Sequence, residues 1–324
     1  MTDVVPLIKL SYAKSIVKRF LELDSSNYAL AEISELPQSF YESDKGFIPI
    51  APIQNFWQLL AEKYPIDILI SNFNQVIDEV FVPDVIVHMR PSQNIEAALN
   101  YFPSAMKMAT GYTRVELESD SLGNATLQRE FPFGSSKETL WSELFTVLCF
   151  CRVIQACGLP NFKPIKICFH HTELSPLLES SHLTDIELIG GYFRTGVVAS
   201  NRDLQKDFKP QIEKCLFSSE GNINSFQESV VSVVQLYIGT NDSIEAIAKL
   251  INMSKRTLQR KLSQQGTSYK EVREIAMANK AKPMLKQGMS LADISEALGY
   301  NHISSFIRAF KRVTGSPPSK WRNG

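Results

Sequence analysis

Cysteine is scarce in this 324-residue chain, and what there is shows no pattern. The five thiols, Cys149, Cys151, Cys157, Cys168 and Cys215, are odd in number and irregularly spaced, and no CxxC pair occurs. That excludes a disulfide-scaffold protein and points to reduced thiols. Long apolar runs are missing too. The best stretch, Leu140 to Leu159, is interrupted by Glu143 and Arg152. It reads as a buried amphipathic helix, since a membrane span needs about 18 uninterrupted apolar residues. The opening MTDVVPLIKL has no basic n-region and no cleavage site, so export is not expected and the cytoplasm is the expected compartment. With 15 Gly and 16 Pro the chain is neither collagenous nor of low complexity. Gly190, Gly191 and Gly196 lack the lysine and spacing of a phosphate loop, and no nucleophile elbow or HExxH is present. Neither an enzyme nor a cofactor is expected.

Net charge is absent overall, with 34 basic and 34 acidic residues, but the two signs are segregated. Residues 240–324 hold 15 Lys and Arg against 6 Asp and Glu, a net of +9, so the remainder is equally negative. A basic module tethered to an acidic one is suited to meeting a polyanion.

What is present along the first two-thirds suggests a mixed α+β domain. Ser11 to Asp24 has helical spacing, with Ile16, Phe20 and Leu23 on one face. Pro52 opens a helix through Trp57 and Leu60. Ser92 to Ala109 reads as helix, with Pro103 placed to kink or split it. Thr113, Val115 and Leu117 alternate as in a strand. Gly123-Asn124 then turns the chain into Ala125 to Phe131, a hairpin pattern. Lys137 to Cys157 is a long apolar helix ended by Gly158 and Pro160. Ile165–Phe169 and Asp185–Ile189 read as short strands flanking a helix, and Gly190 to Ser200 as strand or loop. The aromatics Phe40, Tyr41, Phe47, Phe56, Trp57, Tyr101 and Phe102 could line an effector pocket, but mostly suit a core. From Lys209 the pattern changes, and FSSEGNIN at 217–224 has linker composition.

Beyond that linker the sequence repeats itself. Ser243–Met253 reads SIEAIAKLINM and Ser290–Tyr300 reads SLADISEALGY. Ile244, Ile247 and Ile251 match Leu291, Ile294 and Leu298, which keeps one helical face apolar. Asn252 matches Gly299, and both residue types tolerate the left-handed conformation that ends a helix. A second helix follows each copy: SKRTLQRKLSQ from Ser254, and SSFIRAFKRV following Ile303. Helix, tight turn, helix, with a basic outer face on the second, is the helix-turn-helix plan. A connecting helix over 268–287 would hold the two units so that both reach successive major grooves, about 34 Å apart.

A set of residues then carries a resemblance. SKRTLQRKL (Ser254–Leu262), Gly266-Thr267-Ser268-Tyr269, Gly288, SLADI (Ser290–Ile294), Leu298-Gly299-Tyr300, Phe306, RAFKR (Arg308–Arg312), Thr314-Gly315 and Pro317-Pro318 together resemble the AraC/XylS family of bacterial transcription regulators. More weakly, IKICFHH (Ile165–His171), Asp185–Val198 and Leu204 resemble the non-cupin N-terminal domain of that family's ornithine-utilisation-regulator branch. The resemblance implies an α+β regulatory domain over 1–205 that binds an effector or dimerises. It implies a linker over 206–221 and an all-α DNA-binding domain over 222–324. The latter would hold helix-turn-helix units near 243–264 and 290–313. Carried over by position, Arg256, Gln259 and Arg260 in the first unit, and Ser304, Ser305 and Arg308 in the second, would read bases. Lys255, Lys261, Lys311 and Arg312 would contact phosphates, while Leu258, Leu262, Phe306 and Phe310 suit the core. The implied partners are double-stranded DNA, a small-molecule effector, a second copy of the chain and, for an activator, RNA polymerase. No membrane is implied.

Two departures from the family pattern matter, at Pro283 and Met277, and a third, at Asn252, is mild. Pro283 falls inside the connecting helix, where proline costs about 3 kcal/mol or forces a kink. Met277 stands where an arginine is common, and Asn252 where glycine is usual. Two further readings stay open: a ligand-independent regulator whose N-terminal domain only dimerises, and an enzyme fused to a DNA-binding module. His170 and His171 after Cys168 could suggest a metal, but no second ligand pair has zinc spacing, and no metal is expected. Cys149 and Cys151 suit core packing. Glu116 and Glu118, on one strand face, suit solvation.

Overall fold

A computed structural model describes residues 5–37, 40, 46–110, 115–129, 137–210 and 225–322. The chain divides into two compact units. One comprises Ile8–Leu36 and Pro52–Asn222; the other comprises Thr2–Leu7, Pro37–Ala51 and Ile223–Gly324.

In chain order the N-terminal elements are β1 (Leu7–Lys9), α1 (Leu10–Leu23), α2 (Asn27–Ile33), β2 (Phe47–Pro49), α3 (Ile50–Lys63) and α4 (Ile66–Val76). A π-helical segment, Ile77–Phe81, leads into α5 (Val82–Ile86). Then come α6 (Ile95–Leu99), α7 (Phe102–Thr110), β3 (Val115–Ser119), β4 (Ala125–Arg129), α8 (Lys137–Ala156), β5 (Lys166–Cys168), α9 (Ser175–Leu178), β6 (Glu187–Ile189), β7 (Thr195–Ala199) and α10 (Asn201–Leu204). Helical spacing explains α1, which buries Tyr12, Ile16, Val17 and Phe20, although Leu23 is 41% exposed. Pro103 splits its region, as second residue of α7, where the missing N–H costs nothing. Helices α2, α4 and α5 fall in stretches that carry no sequence expectation.

Five strands form one sheet in the order β3-β4-β7-β5-β6, antiparallel except for the β5–β6 pair. The Gly123-Asn124 turn joins β3 to β4, with Val115 opposite Arg129 and Ser119 opposite Ala125. Thr113, the outer end of the expected hairpin, lies outside the described residues. Gly196 is required by crowding, since a Cβ there would lie 2.5 Å from the Leu127 carbonyl. Helix α8 packs on β7. Its segment Thr139–Ala156 is long and apolar enough to cross a membrane, yet 72% of it is buried in this fold. Of its two interrupting charges, Arg152 is partly exposed and pairs with Asp78, while the other is not on a wet face. Glu143 is fully buried, and its Oε2 accepts from the Thr195 hydroxyl (2.6 Å) and the His170 and His171 amides (2.7 and 3.2 Å). The helix is buried as expected, but Glu143 sits inside the fold and not on a solvated face.

The aromatics build a core. Trp57 stacks on Phe145 at 5.1 Å, with Phe73 edge-on to both, and Phe56 and Phe102 are fully buried. Tyr101 is partly exposed beneath the Arg90 guanidinium, and Tyr41 lies outside the described residues. Glu116 and Glu118 are not simply solvated, since Arg194 pairs with both.

The second unit holds α11 (Phe226–Tyr237), α12 (Ile244–Leu250), α13 (Lys255–Gln264), α14 (Tyr269–Lys286), α15 (Leu291–Ala297), α16 (Ile303–Thr314) and α17 (Pro318–Arg322). Its core takes in Phe226, Val230, Val234, Ile247, Leu258, Met277, Ile294 and Phe306, and also Val5 from the start of the chain. Strand β2 packs on α11, and the Ile50 amide donates to the Pro6 carbonyl at 3.0 Å. These two N-terminal segments fall within 1–205, the span expected to form the regulatory domain, and that boundary is corrected for them. Runs this short carry no periodic signal of which core they join. The expected linker is corrected at its start: Lys209 N donates to the Cys157 carbonyl at 2.9 Å within the first unit. Residues 211–221 of that linker lie outside the described residues.

Two backbone crossings tighten the second unit. Gly239 sits at φ +86°, and a Cβ there would fall 2.5 Å from the Ala297 carbonyl; Gly299 would meet the Gly239 Cα at 3.2 Å. Gly239→Ala is therefore expected to destabilise this unit by about 1–3 kcal/mol, read as a lowered urea midpoint. Asn252→Gly, at φ +53°, is expected to change the stability read from the same midpoint by no more than about a few tenths of a kcal/mol.

Candidate nucleic-acid interface

Each helix pair is built from local chemistry. Ser243 Oγ accepts from the Ala246 amide at 3.2 Å and starts α12; Asn252, in the left-handed region, ends it. Ser254 Oγ accepts from the Thr257 amide at 3.1 Å and starts α13. The second pair repeats this with Ser290 capping α15 and Gly299 at φ +72°. The His302 side chain makes no capping bond at α16, whose far end is closed by Gly315 at φ +77°. The duplication read from the sequence is thus a duplication of caps and turns.

Helices α13 and α16 are two-faced. Leu258 and Leu262 on α13, and Phe306 and Phe310 on α16, are fully buried. The opposite faces expose Lys255, Arg256, Gln259 and Arg260 on α13, and Ser304, Arg308, Lys311 and Arg312 on α16. Ser305 is half-buried, and Arg308 Nη2 lies 3.4 Å from its hydroxyl. The structure therefore places five of the six sequence-assigned base readers on two exposed helix faces, with Ser305 half-buried beside them.

Two of the phosphate assignments change. Lys261 is buried, 7% exposed, with its ammonium over the Phe226 ring 5.4 Å from the centroid. A cation held under an aromatic ring inside the fold does not reach a phosphate, so Lys261 is reassigned to packing. Arg312 remains exposed but is bound by two hydrogen bonds to Glu274, whose side chain is 9% exposed. That carboxylate already neutralises the guanidinium and raises its pKa. Lys255 pairs with Glu245 at 2.7 Å, with both groups well exposed, a contact that phosphate could replace at little cost. Lys311 is exposed.

Helix α14 links the pairs. Tyr269 Oη donates to the Asp242 carbonyl at 2.8 Å, and the Arg273 Nε reaches the Asp242 carboxylate at 2.7 Å, just before α12. The Arg273 guanidinium lies over Tyr300 in the second turn, 5.4 Å from its centroid, while Glu274 holds Arg312 on α16. Burial raises the pKa of both tyrosines, so their hydroxyls stay protonated at neutral pH. The helix runs on past Pro283, which is exposed and leaves only the last turn without its backbone donor. Met277 is fully buried, so a phosphate contact is not lost at that position. Sequence reasoning missed the Asp242, Glu274 and Tyr300 contacts, since nothing in local spacing marks a partner 27 to 38 residues away.

Burial pushes the Cys151 and Cys157 thiols up to about 12, far from thiolate at neutral pH. Among the described residues no three His, Cys, Asp or Glu side chains are placed to hold a metal. In the first unit a cleft of about 340 Å³ is lined by Ile70, Cys151, Arg152, Phe162, Ile167 and Leu183, among others.

Residues 247–324 match the family described as Helix-turn-helix domain. The HTH-type transcriptional regulator VqsM of Pseudomonas aeruginosa is 34% identical over 82 residues, 25% of each chain. The Ornithine utilization regulator of the same organism is 35% identical over 85 residues, 26% of this chain and 25% of its own. The chain thus spans about a quarter of the length of these relatives. The crystal structure of transcriptional regulator CdpR from Pseudomonas aeruginosa aligns over 84% of this chain and 92% of its own. Its identity is 13% and its TM-score 0.34, too low to carry an argument.

Two outcomes are expected for the second unit. Arg312→Ala should lower the urea midpoint by stranding Glu274, while leaving the slope of log affinity against log salt unchanged. Glu271 accepts from the Ser268 hydroxyl and backbone in the capping box of α14, and these bonds hold its pKa below 4.5. Folding favours its ionised form. The stabilisation is therefore complete above pH 4.5 and is lost as pH falls below it. Urea titrations from neutral to acid pH should show that loss, and Glu271→Gln should flatten it.

Proposed function

We propose that this chain, which carries an AraC-family helix-turn-helix domain, is a sequence-specific transcription regulator of the bacterial cytoplasm. It binds double-stranded DNA by laying α13 and α16 in successive major grooves. The observation that carries this reading is the pair of helices, each buried on one side and each presenting a basic or polar row on the other. Arg256, Gln259 and Arg260 read bases from α13; arginine suits guanine and glutamine suits adenine through paired hydrogen bonds. Ser304, Ser305 and Arg308 read from α16. Lys255 and Lys311 contact phosphates, which position the protein without reading sequence.

The first unit is the regulatory part. A small molecule in its cleft shifts the population of DNA-competent protein, which requires unequal affinity for the two states. The unit also supplies the contacts of a homodimer, and the bound protein activates by engaging RNA polymerase. A melting temperature unchanged across a broad metabolite panel would sink the effector role, since a bound ligand stabilises by mass action.

The primary test is sequencing of genomic fragments retained by the full-length protein near physiological salt. The expected result is one motif with two blocks about one helical turn apart. No enrichment by the full-length protein, with or without any ligand of the panel, would remove the reading. Arg260→Ala is expected to cost about 1–3 kcal/mol of affinity and to relax preference at a single base pair. Lys311→Ala is expected to weaken binding on every sequence alike and to reduce the salt slope by about 0.9.

A further inference from the structure

Helix α16 has an apolar residue that its packing does not use. Phe306, Ala309 and Phe310 are buried in the core of the second unit, and Ile307 and Val313 pack against that core. Ile303, the first residue of the helix, belongs to neither group and is 42% exposed. Helix α13 has no counterpart, since its leucines Leu258 and Leu262 are both fully buried and its outer face is polar. Ile303 adjoins Ser304 at the N-terminal end of α16, the end by which a recognition helix meets base edges.

An isoleucine side chain has no hydrogen-bonding atom. In the major groove the apolar group a base pair offers is the C5-methyl of thymine. The serines beside it are short, and a hydroxyl both donates and accepts, so Ser304 and Ser305 discriminate weakly by themselves. The β-branched side chain of Ile303 is stiff at χ1, which places its methyl groups with little loss of freedom on binding.

We propose that Ile303 is a specificity residue that selects a T·A pair in the block read by α16, through contact with the thymine methyl. This rests on the reading of α16 as a recognition helix. The contact buries apolar surface and carries no charge, so it adds to sequence preference and not to salt dependence.

The test uses the full-length protein and a site selected by it from random duplex DNA. Each thymine in the site is replaced singly by deoxyuridine, which lacks the C5-methyl. The expected loss for the wild type is about fourfold at one position of the block contacted by α16, the value of one methyl group taken out of water. Ile303→Ala is expected to bind the thymine and uracil versions of that position equally. Its melting curve should match the wild type, because Ile303 is outside the core. The proposal is overturned if no uracil costs affinity in that block, or if Ile303→Ala retains the full wild-type loss there. Failure to select any sequence would instead overturn the DNA-reading role, and this proposal with it. The two failures are told apart by the selection itself and, where a site is selected, by whether Arg308→Ala changes base preference in the block contacted by α16.

Discussion

The close packing of α14 against its neighbours is the constraint on which the second unit depends. Val272, Ala276, Met277, Ala278, Ala281 and Leu285 are all fully buried along it. Three of these are alanines, so α11 and α16 can approach the helix closely. Interiors packed this densely tolerate little displacement. The polar residues at its edges fix direction. Tyr269 and Arg273 hold the chain just before α12, and Glu274 holds α16. The two exposed helix faces are therefore carried on one packed core, as the proposed reading of two grooves would need.

The flanking helices could not stand by themselves. Helices α12 and α15 have seven residues each, well below the length at which an isolated helix is stable in water. Serine caps, left-handed turns and buried leucines and isoleucines define them instead. Once those duties are met, most exposed side chains on α13 and α16 remain available for a ligand, and Lys255 holds only an exposed pair with Glu245. Lys261 and Arg312 are the exceptions: one lies over a phenylalanine ring, and the other neutralises a buried carboxylate. Charge on a helix is thus a poor guide to function until its partners are known.

Most of the candidate interface is legible in the amino-acid sequence. The apolar period of 3.6, the serines ahead of α12, α13 and α15, and Asn252 and Gly299 at matched places locate both pairs within a few residues. These signals are local, and a helix is a local object. The N-terminal unit is legible in part. Helices α1, α3 and α8 and the β3–β4 hairpin follow from period and turn residues. The run from Ile66 to Ile86 carries the same period, since its buried Ile66, Leu69, Ile70, Phe73, Val76 and Ile77 fall on one helical face, but it stands outside the elements expected from the sequence.

Local sequence therefore sets the helix pairs, their turns, the polar row on each second helix, and the segregation of charge. The helices and turns depend on residues within about four positions of one another, where backbone geometry dictates who meets whom. Which charges are spent is settled in the folded chain. Folding puts Glu143 inside the first unit, Lys261 against Phe226 and Met277 in the core, and it draws Val5 and β2 into the second unit. Those outcomes depend on contacts between residues far apart in the chain, set by packing and by the cost of burying a charge without a partner. No local pattern records them.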